Sequence, residues 1–364
     1  MGDANNTPPS GATPKKSLIV NAFVEMCSGH QSPGLWRHPD DQSHNFNSTK
    51  HWVDLAKLLE KAKFHGVFIA DVLGGYDVYN KSLEPAITSG AQWPVNEPLA
   101  VVSAMAAATE SIGFGVTVST TYEQPYHLAR RLATLDHLTG GRYLDSAAKN
   151  MGLTEQPQFA AQHAEAVFVS AHAPAVCAKN VAEIRALADS GYGRNGKDIK
   201  VLALVTPILG RTEEEAQAKL ADYRQYASLE GALALFGGWT GIDLGQYGDE
   251  QELRQVESNA VRSTVEGYAR FSPGTAKWTK HTIAEHVSIG GNGPVLVGTA
   301  EQVADGLETW VREADVDGFN FSFEDIIELL LPDCAAPASS GRLRRTAGTY
   351  RETSTDVRAK SSSG

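Results

Sequence analysis

Residues 137–168 read HLTGGRYLDSAAKNMGLTEQPQFAAQHAEAVF, and this stretch decides which α/β architecture the chain adopts. An amphipathic helix ends at a Gly-Gly pair, after which a β-strand is expected. Tyr143 and Leu144 give way at once to polar residues and a helix-prone run, so the pattern predicts no strand before Ala164. The rest of the chain is more regular.

Six buried-strand patterns, separated by helical ones, occur outside this gap. They cover residues 18–23, 67–71, 112–120, 164–170, 200–209 and 318–322. Such alternation predicts α/β class, with a parallel sheet covered by helices. A (β/α)₈ TIM-type barrel needs eight strands, and two units absent between residues 142 and 164 would explain the shortfall. A six-stranded doubly wound sheet is the alternative, but the first strand lacks a GxGxxG turn and the longest loops follow strand ends.

Composition sets further limits on domains and partners. The 364 residues are 42% hydrophobic and 21% charged, with a net charge of -11 that argues against nucleic-acid binding. Three distant cysteines indicate no disulfide framework, and no apolar run is long enough for a membrane helix. We expect a disordered segment at 1–16, one barrel domain at 17–332, a poorly ordered tail at 333–364, and a cytoplasmic location.

The long loop after the first strand carries the first candidate catalytic residues, His30, Trp36 and His38. In a barrel this loop lies over the active-site mouth, where imidazoles could clamp an anionic substrate or assist proton transfer. The alternative is a surface loop that is held in place by Trp36.

Two further candidates end strands. Asp71 lies where barrel enzymes place catalytic groups, and it either orients a ligand or caps the next helix. Thr117 and Ser119 project to one face of the third strand and Thr120 to the other. These hydroxyls either bind a ligand or belong to residues that are present only because they favour strands.

Metal-binding motifs are absent from the sequence. No HxH or HExxH spacing occurs, so no metal site is predicted and a metal-dependent barrel hydrolase is disfavoured.

Several motifs together carry a resemblance to a known family. They are GHQSPGLWRHP, FIAD, VTVSTTYEQPYHLARRLATLDHLTGGR, YLDSAAKNMG and FAAQHAEAVF. With them the sequence resembles the bacterial-luciferase-like flavin-dependent monooxygenases, in the branch of nitrilotriacetate monooxygenase component A and dibenzothiophene sulfone monooxygenase. The match runs from about residue 18 to 332, with gaps.

The resemblance implies a (β/α)₈ barrel that binds reduced FMN from a separate NAD(P)H-dependent flavin reductase and uses O₂ to oxidise a small organic substrate. Asp71 and Thr117 match flavin-contacting positions of the family. His30, Trp36 and His38 match the loop on the substrate side. We also expect a homo-oligomer.

The resemblance also implies that barrel strands 4 and 5 are absent, with junctions near residues 142–143 and 158–159. Relatives carry a strand between GGR and YLDSAA, and an HDxRY motif and a QAGxS-like turn after LTEQPQ. The His, Tyr and Ser of those motifs contact flavin in relatives. Skipped exons or a faulty gene model would explain two such excisions. The alternative function is therefore a non-catalytic relic that no longer binds flavin.

Overall fold

The computed structural model describes residues 18–119, 121–146, 156–271 and 274–322. The predicted N-terminal segment 1–16 and the predicted tail 333–364 lie outside these ranges, as does residue range 325–331, whose sequence pattern favours a helix. The strands of the described part are β1 Ile19–Glu25, β2 Gly66–Ala70, β3 Gly113–Thr117, β4 Tyr143–Ser146, β5 Ala166–Val169, β6 Lys200–Leu209, β7 Val295–Gly298 and β8 Gly318–Phe321.

Helices fill most of the connections between these strands. They are α1 Thr49–Lys61, α2 Glu84–Ser89, α3 Leu99–Ala107, α4 Pro125–Leu138, α5 Gln156–His163, α6 Pro174–Gly191, α7 Glu213–Tyr226, α8 Leu229–Thr240, α9 Asn259–Phe271, α10 Lys280–Val287 and α11 Ala300–Ala314. The N-cap of α11 follows from its sequence, because Thr299 and Gln302 have the spacing of a capping box and form its two reciprocal hydrogen bonds.

The strands form a parallel, curled sheet, a half-barrel. Its order is β4-β3-β2-β1-β8-β6-β5, and β7 pairs beside this path with the second half of β6. Phe68 of β2 and Phe168 of β5 stack with ring centroids 4.1 Å apart. Strands that are distant in hydrogen-bond order therefore face each other across the concave side. The α/β class and the parallel sheet match the prediction from sequence.

The prediction that no strand lies between the Gly-Gly pair and Ala164 was wrong, because β4 follows the pair at once. Its register runs from Phe114↔Tyr143 to Thr117↔Ser146 on the edge of β3. Pairing with β3 supplies hydrogen bonds and buries Tyr143, which outweighs the weak local strand pattern. The absence of both strands 4 and 5 is thus not established. Strand β7 was not predicted from the sequence pattern either.

Alternation along each strand separates a helix-facing side from the concave side. In β1, Ala22 belongs to the main hydrophobic core between sheet and helices. Asn21 and Phe23 lie on the other side, where Asn21 donates to the side chain of Asn320 at 3.1 Å and Phe23 stacks on Phe68. Glu25 shares this parity, so the last residue of β1 faces the interior.

A second core lies among the helices inserted between β6 and β7. Helices α8, α9 and α10 pack around residues such as Phe236 and the fully buried Trp278. This unit contacts the loop that follows β1, where the backbone N–H of Ser228 donates to the carbonyl of Pro33 at 2.8 Å. The insertion therefore forms one wall above the carboxyl-terminal ends of the strands.

Candidate functional site

The carboxyl-terminal ends of the strands bring together a cluster that consists of Glu25, Cys27, His30 and Tyr76. The Glu25 side chain is 0% exposed. Its Oε2 accepts from the Cys27 thiol at 3.5 Å and lies 3.9 Å from Nε2 of His30. The His30 ring also packs edge-on against Phe23, with centroids 4.4 Å apart. A carboxyl, a thiol and an imidazole thus share one buried corner at the end of β1.

Tyr76 connects this cluster to the inserted helices. Trp239 of α8 donates a hydrogen bond to its hydroxyl, but burial and then the nearby Glu25 charge raise the pKa of Tyr76 far above its ordinary value. The phenol therefore stays protonated. Gly238 permits the close packing, because a Cβ there would lie 2.1 Å from ring atoms of Tyr76.

Asp71 lies one residue beyond β2, at the rim of the mouth. Burial, with a further contribution from the Glu97 carboxylate, raises the pKa of Asp71 to about 6. Glu97 itself accepts hydrogen bonds from the backbone N–H groups of Leu99 and Ala100, which fixes it at the start of α3. Asp71 is therefore a carboxyl that exchanges its proton near neutral pH.

Thr117 is the last residue of β3 and is buried. Within the ladder of β2 and β3, Ile69 stands opposite Val116, so Asp71 and Thr117 come from neighbouring strand ends at the same edge of the sheet. Ser119 follows on the side predicted for Thr117, and its buried Oγ has no hydrogen-bond partner among the described residues. Thr120 lies outside them.

The three candidates from the first loop are separated by the fold. His30 lies in the buried cluster. The indole N–H of Trp36 donates to the carbonyl of Ser89 at 2.9 Å. Nε2 of His38 lies 2.9 Å from Oδ2 of Asp222 on α7, and its ring packs edge-on against two tyrosines of that helix. Trp36 and His38 thus hold the loop against its neighbours.

Sequence reasoning missed Glu25, Cys27, Tyr76 and Trp239 as members of the site. A signal for Glu25 existed, because period-two alternation from Asn21 through Phe23 puts residue 25 on the interior face. The sequence pattern predicts that the first strand ends at residue 23, so Glu25 falls outside the predicted strand. Cys27 was considered only for disulfides and metals. Tyr76 lies in a loop and Trp239 in an inserted helix, and no short-range sequence pattern indicates that the two residues are in contact.

Two other properties of the described ranges bear on function. No group of three or more His, Cys, Asp or Glu side chains there is placed to hold a metal ion. None of the helices in those ranges has the length and apolar character needed to cross a membrane.

The geometry is that of a parallel, curled half-barrel with a polar mouth, and the family assignment agrees with it. The pattern of the luciferase-like monooxygenases matches residues 27–144 and 151–318, well over half of the chain. The chain belongs to the luciferase-like monooxygenase family. It is accordingly a flavin-dependent monooxygenase, an oxidoreductase, and the family that its motifs predicted is confirmed.

Two relatives are similar over nearly their full length. The dimethyl-sulfide monooxygenase of Hyphomicrobium sulfonivorans is 36% identical over 416 positions, covering 88% of this chain and 86% of the relative. The long-chain alkane monooxygenase of Geobacillus thermodenitrificans is 33% identical, covering 93% and 94%. The nitrilotriacetate and dibenzothiophene-sulfone monooxygenases, whose branch the motifs suggested, are more distant, at 24% and 25% identity.

Solved structures give the same picture of the fold. The crystal structure of DmoA from Hyphomicrobium sulfonivorans superposes with a TM-score of 0.82 at 33% identity, covering 93% of this chain and 92% of that one. The long-chain alkane monooxygenase structure gives a TM-score of 0.80 at 31% identity, covering 94% and 96%. The half-barrel therefore matches luciferase-like TIM-barrel structures.

Proposed function

We propose that the protein is the oxygenase of a two-component system. It would take reduced FMN from a separate NAD(P)H-dependent flavin reductase and use O₂ to oxidise a small organic substrate. The observation that carries this proposal is the pair of neighbouring strand ends that bear Asp71 and Thr117, in a member of the luciferase-like family. A relative named nitrilotriacetate monooxygenase component A, a name that implies a second component, supports the partner.

The residues at the mouth suit the edge of a flavin ring, which presents both hydrogen-bond donors and acceptors. The Thr117 hydroxyl donates or accepts, and the unpartnered Oγ of Ser119 adds a buried polar atom at the same strand end. Asp71, with a pKa of about 6, is able to donate or accept near neutral pH. These three residues would hold the ring system.

Bound reduced FMN would supply the electrons that activate O₂, while the protein supplies orientation and a dry environment. Phe23 and Phe68 line the concave side and exclude water from it. At the end of β1, Nε2 of His30 lies 3.9 Å from Oε2 of Glu25, close enough for a proton to pass between them. Trp36 and His38 would act by fixing the loop rather than by touching substrate.

The alternative, a non-catalytic relic, rests on a separate observation. Among the described residues, β4 pairs only with β3, and β5 only with β6, so the sheet is open between them. The alignment with the dimethyl-sulfide monooxygenase spans 416 positions, more than the chain's 364 residues, so the relative holds segments without a counterpart here. Open parallel edges also expose unpaired backbone groups.

An anaerobic titration with reduced FMN, followed by protein fluorescence, tests the proposal. We expect saturable binding in the micromolar range. Thr117→Val, which keeps the shape but removes the hydroxyl, should weaken binding about tenfold, since a hydrogen bond in such a site contributes roughly 1–1.5 kcal/mol. Thr134→Val, on the exposed side of α4, is the matched control and should leave binding unchanged.

Absence of binding at millimolar flavin would favour the relic. A second protein, with segments from a relative inserted at the junctions near residues 142 and 158, then separates two causes. Binding by that protein alone would show that the inserted segments carry the site. Failure of both proteins would overturn the assignment of Asp71 and Thr117 to flavin.

A further inference from the structure

Two buried thiols lie in different surroundings in this structure. Cys27 is 3% exposed and donates its S–H to Oε2 of Glu25 at 3.5 Å. Cys177, on α6, is equally buried but lies in the hydrophobic core between the sheet and its helices. Both thiols are therefore buried, and they differ in whether a carboxylate accepts a hydrogen bond from the thiol.

The neighbour changes the chemistry of Cys27. Burial and then the Glu25 charge raise the pKa of the Cys27 thiol well above its ordinary value, and the Gly29 backbone N–H only partly opposes them. Burial alone raises the pKa of Cys177 to about 11. An anionic sulfur beside Glu25 would put two negative charges in one buried corner, which is costly.

Protonation controls the reactivity of a cysteine, because the thiolate is the nucleophile. A thiolate attacks one oxygen of hydrogen peroxide, R–S⁻ + HO–OH → R–SOH + HO⁻. The S–O bond forms, the O–O bond breaks, sulfur loses two electrons and the peroxide gains them. We propose that Glu25 is a positioning residue that accepts a hydrogen bond from the Cys27 thiol, repels its thiolate form, and thereby protects this thiol from oxidation at the mouth of the half-barrel.

The reason for such protection rests on the proposed function. An enzyme that activates O₂ on reduced flavin releases peroxide whenever coupling to substrate fails, and Cys27 lies just beyond the carboxyl-terminal end of β1, at the end of the sheet where the proposed site lies. Conversion to a sulfenic acid would add an oxygen atom to a fully packed corner. The suppression of thiol reactivity itself requires no flavin, so it is testable on the protein alone.

The experiment compares wild type with Glu25→Gln, which keeps the shape and removes the charge. Flavin-free protein is treated with hydrogen peroxide or iodoacetamide at pH 8, and modification of each cysteine is followed by peptide mass spectrometry. We expect Cys27 to react at least about tenfold faster in Glu25→Gln, since one pKa unit changes the thiolate fraction about tenfold. Cys177 in the same molecules is the internal control and should not change.

A pH profile of the alkylation rate separates charge from access. The titratable groups around Cys27 among the described residues are Glu25, which accepts its hydrogen bond, Tyr76, and His30, which lies 3.9 Å from the same Glu25 oxygen. The Cys27 profile should shift to lower pH in Glu25→Gln and remain near that of wild type in Glu25→Asp, which keeps the charge.

Three results would overturn the proposal. The first is an unchanged Cys27 rate in Glu25→Gln. The second is an equal rise at Cys27 and Cys177, which would indicate loosened packing. The third is a faster Cys27 rate without a shift of its pH profile. Because flavin is absent throughout, none of these results depends on whether the protein binds FMN.

Discussion

Buried polar groups have different surroundings at the two ends of the parallel strands. At the amino-terminal end, charged side chains are surrounded by hydrogen-bond partners that join neighbouring elements. At the carboxyl-terminal mouth, Asp71 is repelled by Glu97, and Glu25 lies beside a thiol and a phenol whose pKa values it raises. Polar groups therefore stabilise the fold at the amino-terminal end, and at the carboxyl-terminal end they lower its stability in favour of a reactive site.

Arg142 is the best example at the amino-terminal end. Its guanidinium donates to the backbone carbonyls of Ala106, Thr109, Ile112 and Thr139, and it lies over the Phe114 ring. One side chain thus joins the end of α3, the start of β3 and the end of α4. Five donors in a rigid fork make arginine suited to this task.

The largest expected effect comes from removing this fork. Arg142→Ala should lower the free energy of unfolding by about 2–4 kcal/mol, because several buried carbonyls lose their donor at once. Urea denaturation measures the change. Arg130→Ala, on the exposed face of α4, is the control and should stay within about 0.5 kcal/mol of wild type. A similar small change in Arg142→Ala would show that the two ends do not differ as described.

Glu60 provides a carboxyl at the same end. Burial raises its pKa, but hydrogen bonds from the N–H groups of Ser111, Ile112 and Glu110 outweigh burial, and the net pKa is lowered. A lowered pKa in the folded state adds stability above the unfolded pKa, and this stability is lost as pH falls through the folded value. Glu60→Gln should therefore destabilise by about 1 kcal/mol at pH 7.

Thermal or urea unfolding at several pH values checks the Glu60 prediction. The gap between wild type and Glu60→Gln should be fully present above the unfolded pKa of about 4.3 and should narrow as pH falls below that value through the lowered folded pKa. A gap that stays constant from pH 7 to pH 3 would mean that shape, not charge, supports these three N–H groups.

Asp71 at the mouth should show the smallest effect, of opposite sign. Its pKa is raised to about 6, so the folded state prefers the protonated carboxyl. Its favourable contribution is present below the unfolded pKa of about 4 and is lost as pH rises through 6. Asp71→Asn should therefore match wild type at pH 4 and be slightly more stable at pH 7, as measured by the same unfolding series. Lower stability of Asp71→Asn at pH 7 would contradict this assignment.

Most of the fold could be predicted from the sequence, because most of its signals are local. Period-two and period-3.6 patterns predicted the parallel sheet, and the Lys200–Leu209 strand has its predicted bounds. Helix starts are also local signals: the Thr212 side chain accepts from the backbone N–H of Glu215, three residues later, and so caps α7. The site was predicted less completely: the sequence indicated the mouth through Asp71, Thr117 and His30, and these residues do lie at strand ends or beside them.

The remaining features depend on contacts between distant parts of the chain. Strand β4 exists because β3 offers it a hydrogen-bonding edge, a partner that its own four residues do not reveal. Tyr76 and Trp239 meet across 163 positions of sequence, and Glu25 becomes a buried neighbour of both Cys27 and His30 only when the loop folds back over β1. The sequence alone determined the family and the order of helices and strands, because both can be recognised from short-range patterns. The tertiary structure alone decided which side chains share a low-dielectric corner, because burial and proximity arise only on folding.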